Sequence, residues 1–311
     1  MQPCAMRGLP NRRNESVRCD VRLNTCRRGA LICSCVFSAI LFIAVPVPAD
    51  DRSAAENQEP TSLVREVVQN EIDEQLHDDS RWCFREQKQE DGKPQKTMEV
   101  CGTQDGSLER VVTVDGRQLS PAELSAEDQR IAKLISRPGQ LRAKQKKENE
   151  DAEQARALLK LIPDAFLFHY VGTEGDLVKL SFRPNPAFRP ATRAATVFHH
   201  LEGTLVLDQK RKRIAEINGL LTSEVRFVGG LLGHLDTGGT FVVKAGQVTP
   251  DHWDVMLMNL NLSGRALFFK TIAVHEKEAY SDYTRVPDHA SLEQVTELLK
   301  KECSSVHTAS R

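Results

Sequence analysis

The residues of this chain that could carry chemistry are few and scattered. His275-Glu276-Lys277-Glu278-Ala279-Tyr280 begins like a zinc-protease signature, but Ala279 stands where the second histidine is due. The segment also reads as a strand, whereas that chemistry needs two histidines one helical turn apart. His199 and His200 are adjacent, so on a strand they point to opposite faces and do not grip one ion; with His169 they read as surface or core histidines. No metal site and no cofactor are expected. The glycine-rich stretch 229–239 lacks the lysine-hydroxyl ending and the strand-to-helix setting of a phosphate loop, and there is no serine elbow. Asp208, Glu216, Asp236, Asp251 and Asp254 lie in the strand-rich half, where acidic residues in turns mostly form or solubilise the turn. A carboxylate-dependent hydrolase built from two of them is the less favoured reading, and a non-enzyme is expected.

Cysteine gives a clearer signal. Five of the eight cysteines (Cys4, Cys19, Cys26, Cys33, Cys35) fall in the first 49 residues, leaving Cys83, Cys101 and Cys303. Residues 81–87 and 96–103 flank Asp91-Gly92-Lys93-Pro94, a turn signal, and so predict a hairpin. A turn centred on Gly92 sets Cys83 opposite Cys101. They are candidates for a cross-hairpin disulfide, the alternative being two free buried thiols.

A disulfide needs an oxidising compartment, and the N-terminus points to one. Positive charge ends at Arg27-Arg28, an apolar run covers 29–45, and small residues precede a cut after Val47-Pro48-Ala49. Residues 1–49 therefore read as a signal peptide, with a periplasmic or secreted destination. An uncleaved anchor over 31–45, tethering the protein to a membrane, is the alternative. Seven arginines and two acidic residues leave with the leader, so 35 basic and 41 acidic residues remain. A nucleic-acid partner, which asks for a basic face, is not expected.

The elements that would position a site follow from periodicity. Residues 50–60 are polar and read as a linker. Leu63, Val64, Val67, Val68, Ile72 and Leu76 repeat at helical spacing and predict a helix over 61–78. A strand over 111–114 follows the hairpin, then helices over 122–136 and 140–162, separated by Pro138-Gly139. The mixed-charge run 142–151 is a solvated helix face. From 163 to 303 the pattern becomes strands joined by turns, at 166–170, 177–183, 197–207, 213–221, 226–228, 240–244, 253–262, 266–275 and 281–285. A closing helix over 291–301 and a tail over 304–311 complete the chain.

Two of these strands carry apolar residues at both parities. Trp253, Val255 and Leu257 alternate with Met256, Met258, Leu260 and Leu262, and Phe268 alternates with Leu267 and Phe269. An antiparallel sheet with one wet face shows polar residues at every second position. Here one face is expected under helices and the other against a second layer or around an apolar cavity. The expected fold is α+β: an antiparallel β half-barrel over 163–303 covered by helices, preceded by a helix-hairpin-helix region over 61–162.

This layout resembles the periplasmic lipoprotein carrier (LolA/LolB-like) superfamily. The resemblance rests on residues 198–287, with Leu201-Glu-Gly203-Thr-Leu205-Val-Leu207-Asp208, Arg213-Ile-Ala-Glu-Ile217-Asn-Gly219 and the Trp253 strand. It implies an incomplete barrel whose concave side holds acyl chains beneath covering helices. The expected cavity residues are Phe182, Leu205 and Phe241 from the earlier strands and Trp253, Val255, Leu257, Phe268 and Phe269 from the later pair. Leu231, Leu232 and Leu235 are the expected rim, an apolar lip able to touch a lipid chain or a membrane surface; the alternative is that Leu231 and Leu232 tuck back into the core. The expected partner is an apolar ligand, lipid or lipoprotein; a structural or protein-interaction module of the cell envelope is the alternative.

Overall fold

The computed structural model describes residues 58–227, 233–266 and 270–305. The leader, most of the linker, the tail from residue 306, and Leu231, Leu232, Phe268 and Phe269 lie outside the described residues.

The fold is α+β with one large antiparallel sheet that is not closed. Helix α1 (Gln58–His77) leads into the hairpin β1 (Arg81–Glu90) and β2 (Lys96–Gly102), then β3 (Ser107–Val114) and the short β4 (Arg117–Gln118). Helices α2 (Pro121–Ile135), α3 (Pro138–Leu159) and the single turn α4 (Ile162–Ala165) follow. Next come β5 (Phe166–Glu174), β6 (Leu177–Pro184), a 3₁₀ helix (Ala194–His200), β7 (Leu201–Asp208) and β8 (Arg213–Leu221). The chain continues through β9 (Val225–Phe227), β10 (Gly233–Leu235), β11 (Thr240–Thr249), β12 (His252–Ala266), β13 (Lys270–Val286) and α5 (Leu292–Ser305). The strand order is β4-β3-β2-β1-β13-β12-β11-β8-β7-β6-β5, with the β9–β10 ladder attached to β12. The 61–162 hairpin is therefore not separate from the later strands: β1 pairs with β13 from Arg81↔Val286 to Glu90↔Glu276.

Helices cover the two faces at different ends of the sheet. Val64, Val67 and Val68 of α1 pack on Phe168, Leu180, Phe182, Leu205 and Leu207. One turn further along α1, the buried Glu71 accepts hydrogen bonds from the Ile214 amide (2.7 Å) and Arg213 Nε (3.1 Å), which ties the helix to β8. On the other face Cys83, Cys101 and Leu108 meet Ile131 of α2, Leu141 of α3 and Val295 and Leu299 of α5. Helix α3 joins the two cores, since Leu141 belongs to one and Leu158 to the other. Its neighbour α2 starts on a capping box: Ser120 Oγ accepts from the Glu123 amide (3.4 Å), and Glu123 accepts from the Ser120 amide (2.7 Å).

Two bulges decide which side chains share a face. In β12, Val255 pairs with Ala245 and Leu257 with Lys244, so Met256 has no opposite residue. An extra residue reverses the inward parity beyond it. Trp253, Val255 and Met258 come to one face, while Asn259 and Asn261 are exposed on the other. The expectation that this strand is apolar on both faces is thus corrected: two one-faced segments are joined out of phase. In β13, Cys83↔Thr284 is followed by Arg85↔Ser281, so Asp282 and Tyr283 together oppose Phe84. Asp282 takes a left-handed conformation there, with φ +55°. The strands expected at 266–275 and 281–285 are therefore one bulged strand of 17 residues.

One glycine pair matters to the core. Gly203 lies opposite Gly219 in the β7–β8 ladder, and a Cβ on Gly219 would sit 2.1 Å from the Phe241 ring. The absent side chain leaves the space that Phe241 fills.

Cys83 and Cys101 are register partners and form a disulfide. The bridge closes a separation of 18 residues, for which chain entropy gives about 3 kcal/mol. Replacing both cysteines by alanine should lower the unfolding free energy by about that amount in urea titration, with near-native circular dichroism before the transition.

Candidate functional site: an aromatic cleft beside a buried ion cluster

The apolar stripe of α1 reaches only as far as the core over β5–β8. Beyond Ile72 the helix presents Asp73, Glu74 and His77, then Asp78, to this face, while Leu76, expected in the stripe, is exposed; β1, β13 and β12 are left uncovered there. A cleft of about 1010 Å³ opens there, bounded also by Gln145 and Glu148 of α3. Its sheet wall carries Trp82, Phe84, Tyr280, Tyr283, Trp253, Val255 and Met258. Both tryptophans and two of the three tyrosines in the chain line this cleft.

The aromatic rings form a contiguous set across three strands. Trp82 of β1 stacks on His252 of β12 with centroids 4.1 Å apart and planes 10° apart. His252 lies 6.1 Å from Tyr283, which stacks on Phe84 at 5.0 Å, and Phe84 meets Tyr280 edge-on at 5.9 Å. The polar ends of these rings are engaged by the protein. Trp82 Nε1 donates to Ser80 Oγ (2.7 Å), Trp253 Nε1 to the Ile214 carbonyl (3.3 Å) and Tyr283 OH to the Val255 carbonyl (2.7 Å). His252 Nε2 lies 3.1 Å from Asp254. What these residues offer an occupant is accordingly apolar surface.

Deeper along the same face lies a buried ion cluster. Lys88 of β1 pairs with Glu278 (2.6 Å) and Glu276 of β13 and lies 3.5 Å from Glu90. Glu278 is 0% exposed and Glu276 5% exposed, and Tyr280 OH, on the cleft wall, donates to Glu278. Burial, then the hydrogen bond to Glu278, pushes the Glu276 carboxyl up to about 7 despite Lys88. Burial opposes the charge on Lys88, but Glu278 and Glu276 outweigh it and raise its pKa. One cation thus holds two buried carboxyl groups, and Glu276 keeps its proton to a higher pH than an ordinary carboxyl does.

The expected site residues divide between packing and cleft. Trp253 and Val255 line the cleft. Phe182 and Leu205 do not: they are 6% and 2% exposed in the closed core, with Phe241 and Leu235 packed against it, because α1 and the 3₁₀ helix cover that end of the face. Leu257, just past the bulge, is half-buried and does not line the cleft. Among the carboxylates, Asp251 and Asp254 reach the cleft, whereas Asp208 caps its turn through the Arg211 amide (2.8 Å) and Glu216 pairs with Lys244 (3.0 Å). Asp236 faces His234 at 3.2 Å. His199 and His200 sit on the 3₁₀ helix; burial first, then Arg189 beside His199 and His199 beside His200, lowers their pKa values. Among the described residues no group of three or more His, Cys, Asp or Glu is placed to hold a metal, and no helix is long and apolar enough to cross a membrane.

Sequence reasoning missed Trp82, Phe84, His252, Tyr280 and Tyr283. The available signal was composition: aromatic residues make up 5% of the chain, yet Trp82, Phe84, Tyr280 and Tyr283 occur in two short strand segments. No family model, curated protein or solved structure matches the chain.

The ion cluster generates two expectations. Lys88→Met strands buried carboxylates and should lower stability by about 3–5 kcal/mol at neutral pH. The folded-state pKa of Glu276 lies above the ordinary 4.5, so its stabilising contribution is complete below 4.5 and is lost as the pH rises to about 7. Urea midpoints compared at about pH 5 and about pH 8 should therefore show a smaller loss for Glu276→Gln than for the unaltered protein.

Proposed function

We propose that the protein is a non-catalytic binding protein of the cell envelope, and that its cleft holds an amphiphilic ligand, such as a lipid or an acylated molecule. The carrying observation is the concentration of Trp82, Trp253, Tyr280 and Tyr283 on one wall of a cleft of about 1010 Å³. That volume suits a ligand of substantial size, and an apolar wall with satisfied polar ends favours its burial.

Charge qualifies the ligand. Asp73, Glu74, Glu86, Glu148 and Asp254 also line the cleft, with Arg81, Arg213 and Arg285 among them. A purely hydrocarbon occupant would take these charged groups out of water and give them no new polar contact in return, which is costly. The apolar part therefore lies on the aromatic wall and a polar part among the charges. An exported location accords with the Cys83–Cys101 disulfide and the apolar run at 29–45. The open antiparallel sheet with helices over part of one face is also compatible with the half-barrel of the lipoprotein carriers, with the ligand beside the helices and not beneath them.

Titration of the purified protein with a fluorescent fatty acid tests the reading. Saturable binding with quenching of tryptophan emission is expected, and Trp82→Ala should weaken it by at least about fivefold, the effect of losing about 1 kcal/mol of contact. A protein that ignores the probe at every concentration below its micellar limit would sink the proposal.

A further inference from the structure

At the end of the cleft where β1 starts, β2 stops and β3 begins, two polar atoms are buried without a hydrogen-bond partner: Arg81 Nη1 and Ser107 Oγ. Both residues line the cleft, and Ser107 as a whole is only 5% exposed. The sheet register brings them together. Ser107 pairs with Gly102, and a Cβ built on Gly102 would lie 3.5 Å from Arg81 Cβ, so the three positions are contiguous across β1, β2 and β3. Arg81 is anchored from its other side, where Nη2 donates to the Pro287 carbonyl (3.1 Å) and the Asp288 carbonyl. The guanidinium is thus fixed in place while one of its nitrogens remains unused.

Buried donors are almost always paired, and an unpaired guanidinium nitrogen is among the costliest exceptions. Both atoms are donors, one of them charged, and the group that satisfies both is an oxyanion. Trp82, stacked on His252, begins the aromatic wall immediately after Arg81 in the chain. We infer that the Arg81–Ser107 corner is an oxyanion subsite, which takes the carboxylate or phosphate head of an amphiphile whose chain runs along the Trp82–Tyr283 wall. This rests on the ligand-binding reading of the cleft and assigns the ligand's head group.

The acidic side chains elsewhere in the cleft set the competing outcome. Glu148 and Asp78 also belong to this end, and were they the determinants, a cationic head would be preferred. Calorimetric titration of the full chain with four dodecyl amphiphiles separates the cases: dodecanoate, dodecyl phosphate, dodecanol and dodecyltrimethylammonium. At least one of the two anions should bind about tenfold more tightly than dodecanol, the size expected of a charged hydrogen bond, and the tighter of them identifies the head. Arg81→Gln should remove that preference while leaving dodecanol binding unchanged. Ser107→Ala, which deletes only a hydroxyl, should reduce it by about threefold even if the arginine variant fails to fold. Equal affinity for anion and alcohol, tighter binding of the ammonium compound, or an anion preference that survives Ser107→Ala in full would overturn the subsite with the cleft reading intact. If none of the four binds, the cleft reading itself fails and the subsite with it.

Discussion

The antiparallel pairing of β1 with β13 is the interaction on which the rest of the molecule depends. It joins residues about two hundred positions apart, Arg81 with Val286 and Glu90 with Glu276. Without it the N-terminal hairpin would have no strand partner among the later strands, and one continuous sheet would become two. With it, Trp82 and Phe84 come beside Tyr280 and Tyr283, and Lys88 comes beside Glu276 and Glu278. The same ladder therefore supplies both the cleft wall and the buried charges beneath it.

Local irregularities then determine what the ladder presents. The extra residue at Met256 turns Met258 to the side of Trp253 and Val255, and the left-handed Asp282 turns Tyr283 to the side of Tyr280. Regular strands would place half of these residues on the opposite face. The cleft stays open because the packed apolar residues of α1 end at Ile72, and Leu76 in the last turn is exposed.

Much of this architecture was legible in local pattern. The α1 stripe of Val64, Val67 and Val68, the turn at Gly92, and the Cys83–Cys101 alignment follow from spacing alone. So does the antiparallel series from Phe166 onward. The β1–β13 pairing was not legible, because no periodicity connects segments so far apart. The bulges were hidden for a different reason: Val255-Met256-Leu257-Met258 is apolar throughout, so a change of phase within it leaves no mark and suggests a two-faced strand. That suggestion placed the cavity over Phe182 and Leu205, which α1 covers, and left Trp82 unconsidered in a hairpin read for its cysteines.

An occupant lying along the β1–β13 wall is the central claim, and photo-crosslinking tests it most directly. A diazirine-bearing fatty acid bound to the full chain, irradiated and mapped by peptide mass spectrometry, should label peptides containing Trp82–Phe84, Trp253–Met258 and Tyr280–Tyr283. Label confined to the α2 and α5 helices, or spread evenly over the surface, would contradict the account.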